Sequence, residues 1–360
     1  MTAFQAVDSG SIPGARIMIH NSQNLHSHTF FSDGKMTHRE TLNIAAANGC
    51  SVVAFTDHDI PMPVEIFNEL KKVNYKTKWI SGIELSTKEG AHIIGLFVDP
   101  SNNELLKHCS SVKQSRIDKA TSVAGNLAKL GFSISAEEVL SKATEGVVGK
   151  PHIVEALVGK PENVSLLAKY ISEFEKASKN NPELEREYKD AKDGSRRWGI
   201  SAFVYPLFLK KEAFIPDIYA DYDNTPELDR TVKMIHEAGG VAILAHWHTE
   251  IKTFTIEKLE TMFLSRKLDG AETKLGWKDM ESEIDREKLD RYRELAKIVA
   301  RTGVLASVSI DAHLPSDYEV FSRDEAFATA TVGAIEKIIA KSEVSTKFST
   351  LASNKKFRHD

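Results

Sequence analysis

The sequence predicts an α/β fold, a largely parallel sheet of strands alternating with helices and interrupted by a helical insertion. Three observations carry this expectation. Between residues 21 and about 100, short apolar runs alternate with capped helical segments, the pattern of β-α-β units. From about residue 101 the apolar spacing turns helical and the charge content rises. Near residue 226 the alternation resumes and continues to about residue 335.

Residues 1–20 hold Ser-Gly and Pro-Gly pairs and no hydrophobic period, so they read as a flexible arm. After a first strand carrying His26 and His28, Thr37 and Glu40 have capping-box spacing and open a helix that Gly49 can close. Residues 51–56 form the next strand, a helix runs through Glu65, Leu70 and Val73, and Trp79 to Leu85 is the third strand. Ala91 to Val98 is a fourth, with His92 near its start. Residues 105–130 have helical spacing and stop at Gly131, and Ser135 with Glu138 is a second capping box. Further helices follow Lys150-Pro151-His152 and pass through Leu166 and Ile171. The charged run 176–197 reads as an exposed helix or linker. Thr225-Pro226 is expected to cap a helix ending at Gly239-Gly240. The run Val241 to Ala245 then delivers His246, Leu268 to Glu272 is another strand, and a charged helix through Tyr292 leads to Val304 to Ile310, which hands over Asp311 and His313.

The 360 residues suffice for one large or two ordinary domains. A net charge of −4 and a pI near 6.4 argue against a global basic field for nucleic acid or membrane. Two cysteines, Cys50 and Cys109, are too few for a disulfide framework. No signal-like leader and no apolar run of membrane-spanning length is visible, so the expectation is a cytoplasmic protein without membrane association.

Chemistry concentrates at the predicted strand ends. His26 and His28 are two apart, so both imidazoles leave one face of an extended segment. Asp33 follows in a Ser-Asp-Gly turn, His58 sits between Asp57 and Asp59 after an apolar strand, and Glu84, His246, Asp311 and His313 end others. In parallel α/β barrels the carboxyl ends of strands carry the working groups. His92 is the exception, and it needs a turn after Glu84 to return it to that rim. Mixed imidazole and carboxylate donors suit Mn, Fe or Zn. Eight or nine donors exceed what one ion needs, so two to three divalent ions are implied, with Glu84 able to bridge a pair. Such ions lower the pKa of a bound water from about 15.7 toward roughly 7 and stabilise displaced oxygens, which suits hydrolysis of a phosphate ester.

The motifs LHSHTFFSDG, FTDHD, GIELST, AHIIGLFVD, GKPHIVEAL, GGVAILAH and SIDAH resemble, in that order, those of the PHP (polymerase and histidinol phosphatase) superfamily. GKPHIVEAL and HIIGLFVD look most like the branch that hydrolyses nucleoside 3′,5′-bisphosphates and trims short RNA from its 5′ end. The resemblance covers about residues 24–160 and 230–313. It implies a distorted (β/α)7 TIM-like barrel over 21–100 and 226–335, a mainly helical insertion or cap over 101–225, and a C-terminal helix and tail over 336–360. It also implies that His26, His28, Glu84 and Asp311 hold a first ion, Glu84, His92 and His246 a second, and Asp33, His58 and His313 a third trinuclear-centre position. A hydroxide bridging metals would attack phosphorus. Arg116, Lys150 and His152 would contact substrate phosphate.

Departures from the family pattern bear on substrate. Lys150 stands where the family has arginine and offers a point charge in place of a planar fork. Trp247 follows His246 where proline is usual, His248 adds a further imidazole, and SIDAH replaces Gly-Ser-Asp-Phe-His. Residues 159–225 align poorly.

The expected function is therefore a metal-dependent phosphoesterase acting on a small phosphorylated substrate, a nucleotide or a short RNA or DNA end. The alternatives are a histidinol-phosphate-like or other small-molecule phosphatase and, in another class, a noncatalytic metal-binding regulatory module. Plainer roles compete at single positions: a simple turn for Asp33, a surface neighbour for His248, solvated helix-end charges for Arg116 and Lys150. Arg196, Arg197, Lys210 and Lys211 read as an exposed basic cluster more than a polyanion site, and His20, His38, His108, His236 and His359 as surface residues. Gly149-Lys150 lacks the glycine spacing and following Ser/Thr of a P-loop.

Overall fold

The computed structural model describes residues 21–143, 147–219, 225–247, 254–275, 283–321, 329–342 and 344–351. The predicted N-terminal arm, His20, His248 and His359 lie outside these residues. Among the described residues, no helix is long and apolar enough to cross a membrane.

Among the described residues, seven strands form one sheet in sequence order: β1 (Ser22–Asn24), β2 (Cys50–Phe55), β3 (Lys78–Ser86), β4 (His92–Leu96), β5 (Val241–Leu244), β6 (Gly270–Leu275) and β7 (Leu305–Ser309). Beyond β1 and β7, Ser27 bridges Ala312 in parallel, His28 N–H donates to Ala312 O at 2.8 Å, and Ala312 N–H donates to His26 O at 3.2 Å. The first and last strands are thereby joined and the sheet becomes a nearly closed barrel. β4 departs from the expected parallel order, pairing antiparallel with both β3 and β5. The reason is the short connection from Ser86 to His92, which permits a hairpin and cannot hold a crossover helix. Because Ser86 pairs with His92, the start of β4 lies at the end of β3. That reversal returns His92 to the rim.

The strands are buried on both faces, as a barrel wrapped in helices requires. Val52, Ala54, Ile80, Ile94, Leu96 and Ile243 belong to one apolar cluster, while Val53, Phe55 and Trp79 pack with Leu42, Phe67 and Leu70 in another. Leu42 comes from α1 (His38–Ala47), whose capping box from Thr37 and Glu40 is formed as predicted. Phe67 and Leu70 come from α2 (Val64–Lys71). Gly270 is required where β6 meets β7, since a Cβ there would lie 2.1 Å from Leu305 O.

Helix α3 (Asn103–Lys129) spans about 40 Å at 1.5 Å per residue and serves two cores. Its Leu105 and Cys109 pack with the barrel, and its Val123, Ala124 and Leu127 pack in a second apolar cluster. That cluster is completed by α4 (Ala136–Lys142), α5 (Lys150–Val158), α6 (Val164–Ser178), α7 (Pro182–Trp198) and α8 (Ser201–Phe208), through Val139, Leu157, Phe174, Val204, Leu207 and Phe208. The charged run 176–197 is thus the end of α6, a turn and α7, with Leu184 and Tyr188 facing inward. In the basic cluster, Lys210 pairs with Glu187 and Arg196 lies 3.7 Å from Asp193.

Helix α9 (Leu228–Glu237) starts two residues after the predicted Thr225-Pro226. Its first amide is capped from afar, with Leu228 N–H donating to the Glu89 carboxylate at 3.0 Å. Helices α10 (Ile256–Leu264), α11 (Glu283–Thr302) and α12 (Pro315–Phe321) follow on the outside of the barrel. The last α-helix of the described residues, α13 (Ala334–Lys341), contributes Ile335 and Ile338 to the cluster of Val52, Ala54 and Ile80, and Ile335 N–H donates to Gln23 Oε1 at 2.7 Å. It therefore packs at the end of the barrel where β1 starts, away from the strand exits.

His38 is a correction to the sequence reading. It is 3% exposed, with its ring 4.5 Å from that of Phe55 and 5.6 Å from that of Phe31. Burial holds its pKa down at about 4, with the charge of Asp57 acting weakly in the other direction. An imidazole at the first turn of α1 faces the core because α1 packs that turn on the sheet.

Candidate metal centre

The strand exits gather the predicted residues into one cluster. Glu84, the acidic residue of β3 two positions before its end and fully buried, is its centre. Its Oε1 lies 2.8 Å from His246 Nε2 and 3.0 Å from His92 Nδ1. Its Oε2 lies 3.1 Å from His26 Nε2, 3.2 Å from His28 Nε2 and 3.0 Å from His58 Nδ1. Asp311 Oδ1 approaches His26 Nε2 at 3.3 Å and His28 Nε2 at 3.1 Å. Asp33 lies on the far side of His28, at 3.3 Å from His313 Nε2, 3.5 Å from His28 Nδ1 and 3.7 Å from His58 Nε2.

The local backbone explains why these groups converge. Asp33 is placed by a turn in which Gly34 N–H donates to Thr29 O at 3.0 Å, and a Cβ on Gly34 would lie 2.3 Å from His28 O. Only glycine permits that approach. His58 is set by a bridge to Glu84 and by Asp59 N–H donating to Glu84 O at 2.8 Å. Asp59, His246 and Asp311 have φ of 51°, 21° and 47°, a region that costs non-glycine residues energy and is concentrated at functional sites.

Electrostatics mark the cluster as a set of coupled donors. Burial opposes ionisation of Glu84, but His58, His26 and His92 hold it well below the usual carboxylate range. Asp311 and Asp33 are likewise held low against burial, by His26 and His313 for the first and by His313 and His58 for the second. Burial opposes charge on His28 and His313, yet their carboxylate neighbours raise them to about 10 and about 9. His58 goes the other way, down to about 3, because burial outweighs Glu84 and Asp33.

The donor set fits divalent metal ions. Asp33 Oδ1, His58 Nδ1 and Asp311 Oδ1 are buried without a hydrogen-bond partner, although each has a polar atom of another candidate within 3.7 Å. Nε2 of His26 and of His28 face each other at 3.0 Å. Buried polar atoms without partners are costly, and nitrogen and oxygen atoms packed this closely have the spacing that donors to a shared cation would need. Among the described residues, three groups have the necessary spacing: His28, Asp33, His58 and His313; His26, His28 and Glu84; and His58, Glu84 and His92. His28 and His58 thus each sit between groups that the sequence reading kept apart.

The insertion reaches this rim. Arg116 on α3 is 8% exposed and makes a short ion pair with Asp59, with a 3.2 Å hydrogen bond to Ser86 Oγ. His152 at the third position of α5 accepts from Gly149 N–H through Nδ1 at 2.9 Å, and burial lowers its pKa. The Tyr219 ring lies 3.7 Å from Lys119 Nζ and 5.2 Å from Lys150 Nζ. Desolvation and the charge of Asp33 push the Tyr205 phenol of α8 up. Lys119, Tyr219, Tyr205 and Asp59 were not assigned roles from the sequence. Lys119 alone had a usable signal, one turn beyond Arg116 on the same helix. Behind the cluster, Asp57 accepts from Thr29 N–H, Thr29 Oγ1 and Ser32 Oγ at 2.6–2.7 Å, and Ser32 Oγ is 3.3 Å from His28 Nδ1.

The chain is similar to several known proteins. Residues 24–194 match the PHP domain family. A 5′-3′ exoribonuclease of Haemophilus influenzae is 27% identical over 226 residues, covering 62% of this chain and 68% of the relative. A 3′,5′-nucleoside bisphosphate phosphatase of Chromobacterium violaceum is 28% identical over 113 residues, covering 31% of this chain and 39% of that protein. Among solved structures, an amidohydrolase from Chromobacterium violaceum with bound sulfate shares the fold, with a TM-score of 0.58 at 21% identity, covering 82% of this chain and 89% of the other.

Proposed function

We propose, for a chain that carries a PHP domain and is a metal-dependent phosphoesterase, that it removes a phosphate from a nucleotide such as a 3′,5′-bisphosphate or from the end of a short oligonucleotide. One observation carries this reading most directly: the two oxygens of Glu84 serve two different sets of imidazoles at the strand-exit end of the barrel, beside a cationic side chain from the insertion, Arg116. His26, His28, Glu84 and Asp311 would hold one divalent ion, Glu84, His92 and His246 a second, and Asp33, His58 and His313 a third, with Mn, Fe or Zn matched to these donors. When bound, such ions lower the pKa of a water and stabilise charge on phosphate oxygens.

The chain's own residues supply orientation. Glu84 and Asp311 remain ionised against burial and hold the imidazole edges toward one volume. Arg116, fixed by Asp59, presents its guanidinium at the same rim, and Lys119 and Lys150 flank Tyr219 beside it. A phosphate other than the one removed would find three cations here, which a substrate with a single phosphate would not use. Lys150 contributes charge without bidentate geometry, so the match is to a flexible or variably placed phosphate. The relatives' names, an exoribonuclease and a bisphosphate phosphatase, point to the same substrate class. Cytoplasmic placement is part of this proposal.

Metal analysis after loading with Mn, Fe or Zn is expected to find more than one equivalent per chain. A parallel screen of nucleoside 3′,5′-bisphosphates, short RNA and sugar or amino-alcohol phosphates is expected to favour the first two. Arg116→Ala should raise KM for a bisphosphate by about 10-fold or more while changing that for an aryl phosphate little. A folded protein that takes up no metal would remove the central claim. Preference for an amino-alcohol phosphate would move the assignment to a histidinol-phosphate-like activity, and full metal loading without any turnover would leave a binding module.

A further inference from the structure

Glu272 on β6 is fully buried and stands outside the candidate ligands, yet three elements of the rim converge on its carboxylate. Its Oε1 lies 3.1 Å from His26 Nδ1 and receives a short hydrogen bond from Ser309 Oγ, at the end of β7. Its Oε2 accepts from the backbone N–H of His246 at 2.8 Å. We propose that Glu272 is a positioning residue for the metal centre, fixing the tautomer of His26 and the backbone of His246 together.

The inference rests on the metal-centre reading above, and its logic is that of donors and acceptors. A carboxylate has no proton to give, so the hydrogen-bond distance of 3.1 Å from His26 Nδ1 places that nitrogen's proton toward Glu272. Neutral imidazole then carries its lone pair on Nε2, the atom that faces Glu84, Asp311 and His28. Glu272 is not itself a ligand to the same ion, because the two ring nitrogens point in diverging directions and Glu272 occupies the opposite one. The second carboxylate oxygen acts on the next candidate ligand through the main chain. His246 has a φ of 21°, and its amide proton is held by Glu272 while its Nε2 reaches Glu84. One carboxylate thereby aims two imidazoles that meet opposite oxygens of Glu84. Groups that orient ligating imidazoles in this way typically matter 10–100-fold for metal affinity.

Glu272→Gln is the informative substitution, because an amide of the same shape cannot satisfy the three donors. With its nitrogen toward His26, the imidazole must move its proton to Nε2 and lose its outward lone pair. With its nitrogen toward His246, two N–H groups oppose each other at a backbone that cannot change tautomer. The expected result is that Glu272→Gln, loaded with zinc, releases metal to a chelator about 10–100-fold more readily than wild type, while the metal-free form melts within a few degrees of it. Ser309→Ala removes one donor to Glu272 but not the imidazole link, and is expected to retain metal as wild type does. Unchanged retention in Glu272→Gln overturns the proposal, and so does equal loss in Ser309→Ala, which would mean that packing alone is responsible. If Glu272→Gln does not fold, 15N NMR of the histidines in zinc-loaded wild type decides. A proton on His26 Nδ1 is expected, and a proton on Nε2 overturns the assignment. Wild type that takes up no zinc removes the metal-centre reading itself, whereas loaded wild type with an unaltered Glu272→Gln removes only Glu272.

Discussion

At the barrel rim, charged and titratable side chains are buried against one another, whereas in the helical insertion the buried groups are mainly apolar and, away from the rim-facing Arg116 and Lys119, most charges stay at the surface. Glu84, His26, His28 and Glu272 are 0% exposed. The interior of the insertion is Val123, Leu127, Leu157, Phe174 and Phe208, each fully buried. Lys169 and Glu173, or Lys189 and Glu185, make exposed pairs along its helices. Buried charge is expensive unless paired or bound to metal, while apolar burial is favourable wherever it occurs. The contrast teaches a division of labour. The rim gives up stability for chemistry and depends on every member of its network, and the insertion stabilises itself and can vary in the side chains it presents to substrate.

The sharpest way to break this comparison is at its centre. Glu84→Gln removes the charge that five imidazoles share, and it is expected to cut kcat by about 10³–10⁴-fold together with metal content. Steady-state assays paired with metal analysis of the same preparation test this. Near-normal turnover with normal metal content would show that the network is structural and that the rim is no different in kind from the insertion.

A second substitution asks whether the insertion is stabilised independently. Phe174 is fully buried among Tyr188 and Phe214, with ring centroids at 5.6 and 5.1 Å. Phe174→Ala should cost about 3–5 kcal/mol. Hydrogen exchange should place that loss in α6, α7 and α8, with the sheet amides and the bound metal little affected. Uniform loss of protection across both regions would mean one cooperative unit and would dissolve the distinction.

How much of this was legible in the sequence follows the same division. The rim's candidates could be read because imidazoles and carboxylates gathered at the ends of successive predicted strands are uncommon, and His26, His28, His58, Glu84, His246, Asp311 and His313 all lie at or close to such ends. The capping boxes at Thr37 and Ser135 were legible because their signal is local. The direction of β4 was not, since alternation of apolar residues carries no strand polarity. The position of His92 near a strand start was the trace it left. Glu272 read only as the end of a strand, because its partners are 246, 26 and 37 residues away in sequence. The remote cap of Leu228 by Glu89 and the burial of His38 were hidden for the same reason: both are set by tertiary neighbours. Inside the insertion, Arg116 was found through resemblance, whereas Tyr219 came into view only when Lys119 and Lys150 were seen against its ring.

The smallest effect concerns how the two regions are held together. Lys35, two residues beyond Asp33, pairs with Glu155 of α5 at 2.6 Å, and Glu155 also lies 3.2 Å from Lys142. The side chains of Lys35 and Glu155 are 48% and 42% exposed, so solvent and salt screen the attraction, and such pairs contribute about 0–1 kcal/mol. The neighbouring contacts are better shielded: Val147 N–H donates to Phe31 O at 2.8 Å, and the Arg116–Asp59 pair is buried. Lys35→Met is therefore expected to change thermal stability by less than about 1 kcal/mol, with a difference from wild type that shrinks further as salt is raised. It should also leave KM for a bisphosphate almost unchanged, because the guanidinium at the rim is anchored by Asp59. A large rise in KM for Lys35→Met, without loss of stability, would show that the surface pair sets the placement of the insertion over the rim, and the buried contacts would then be secondary.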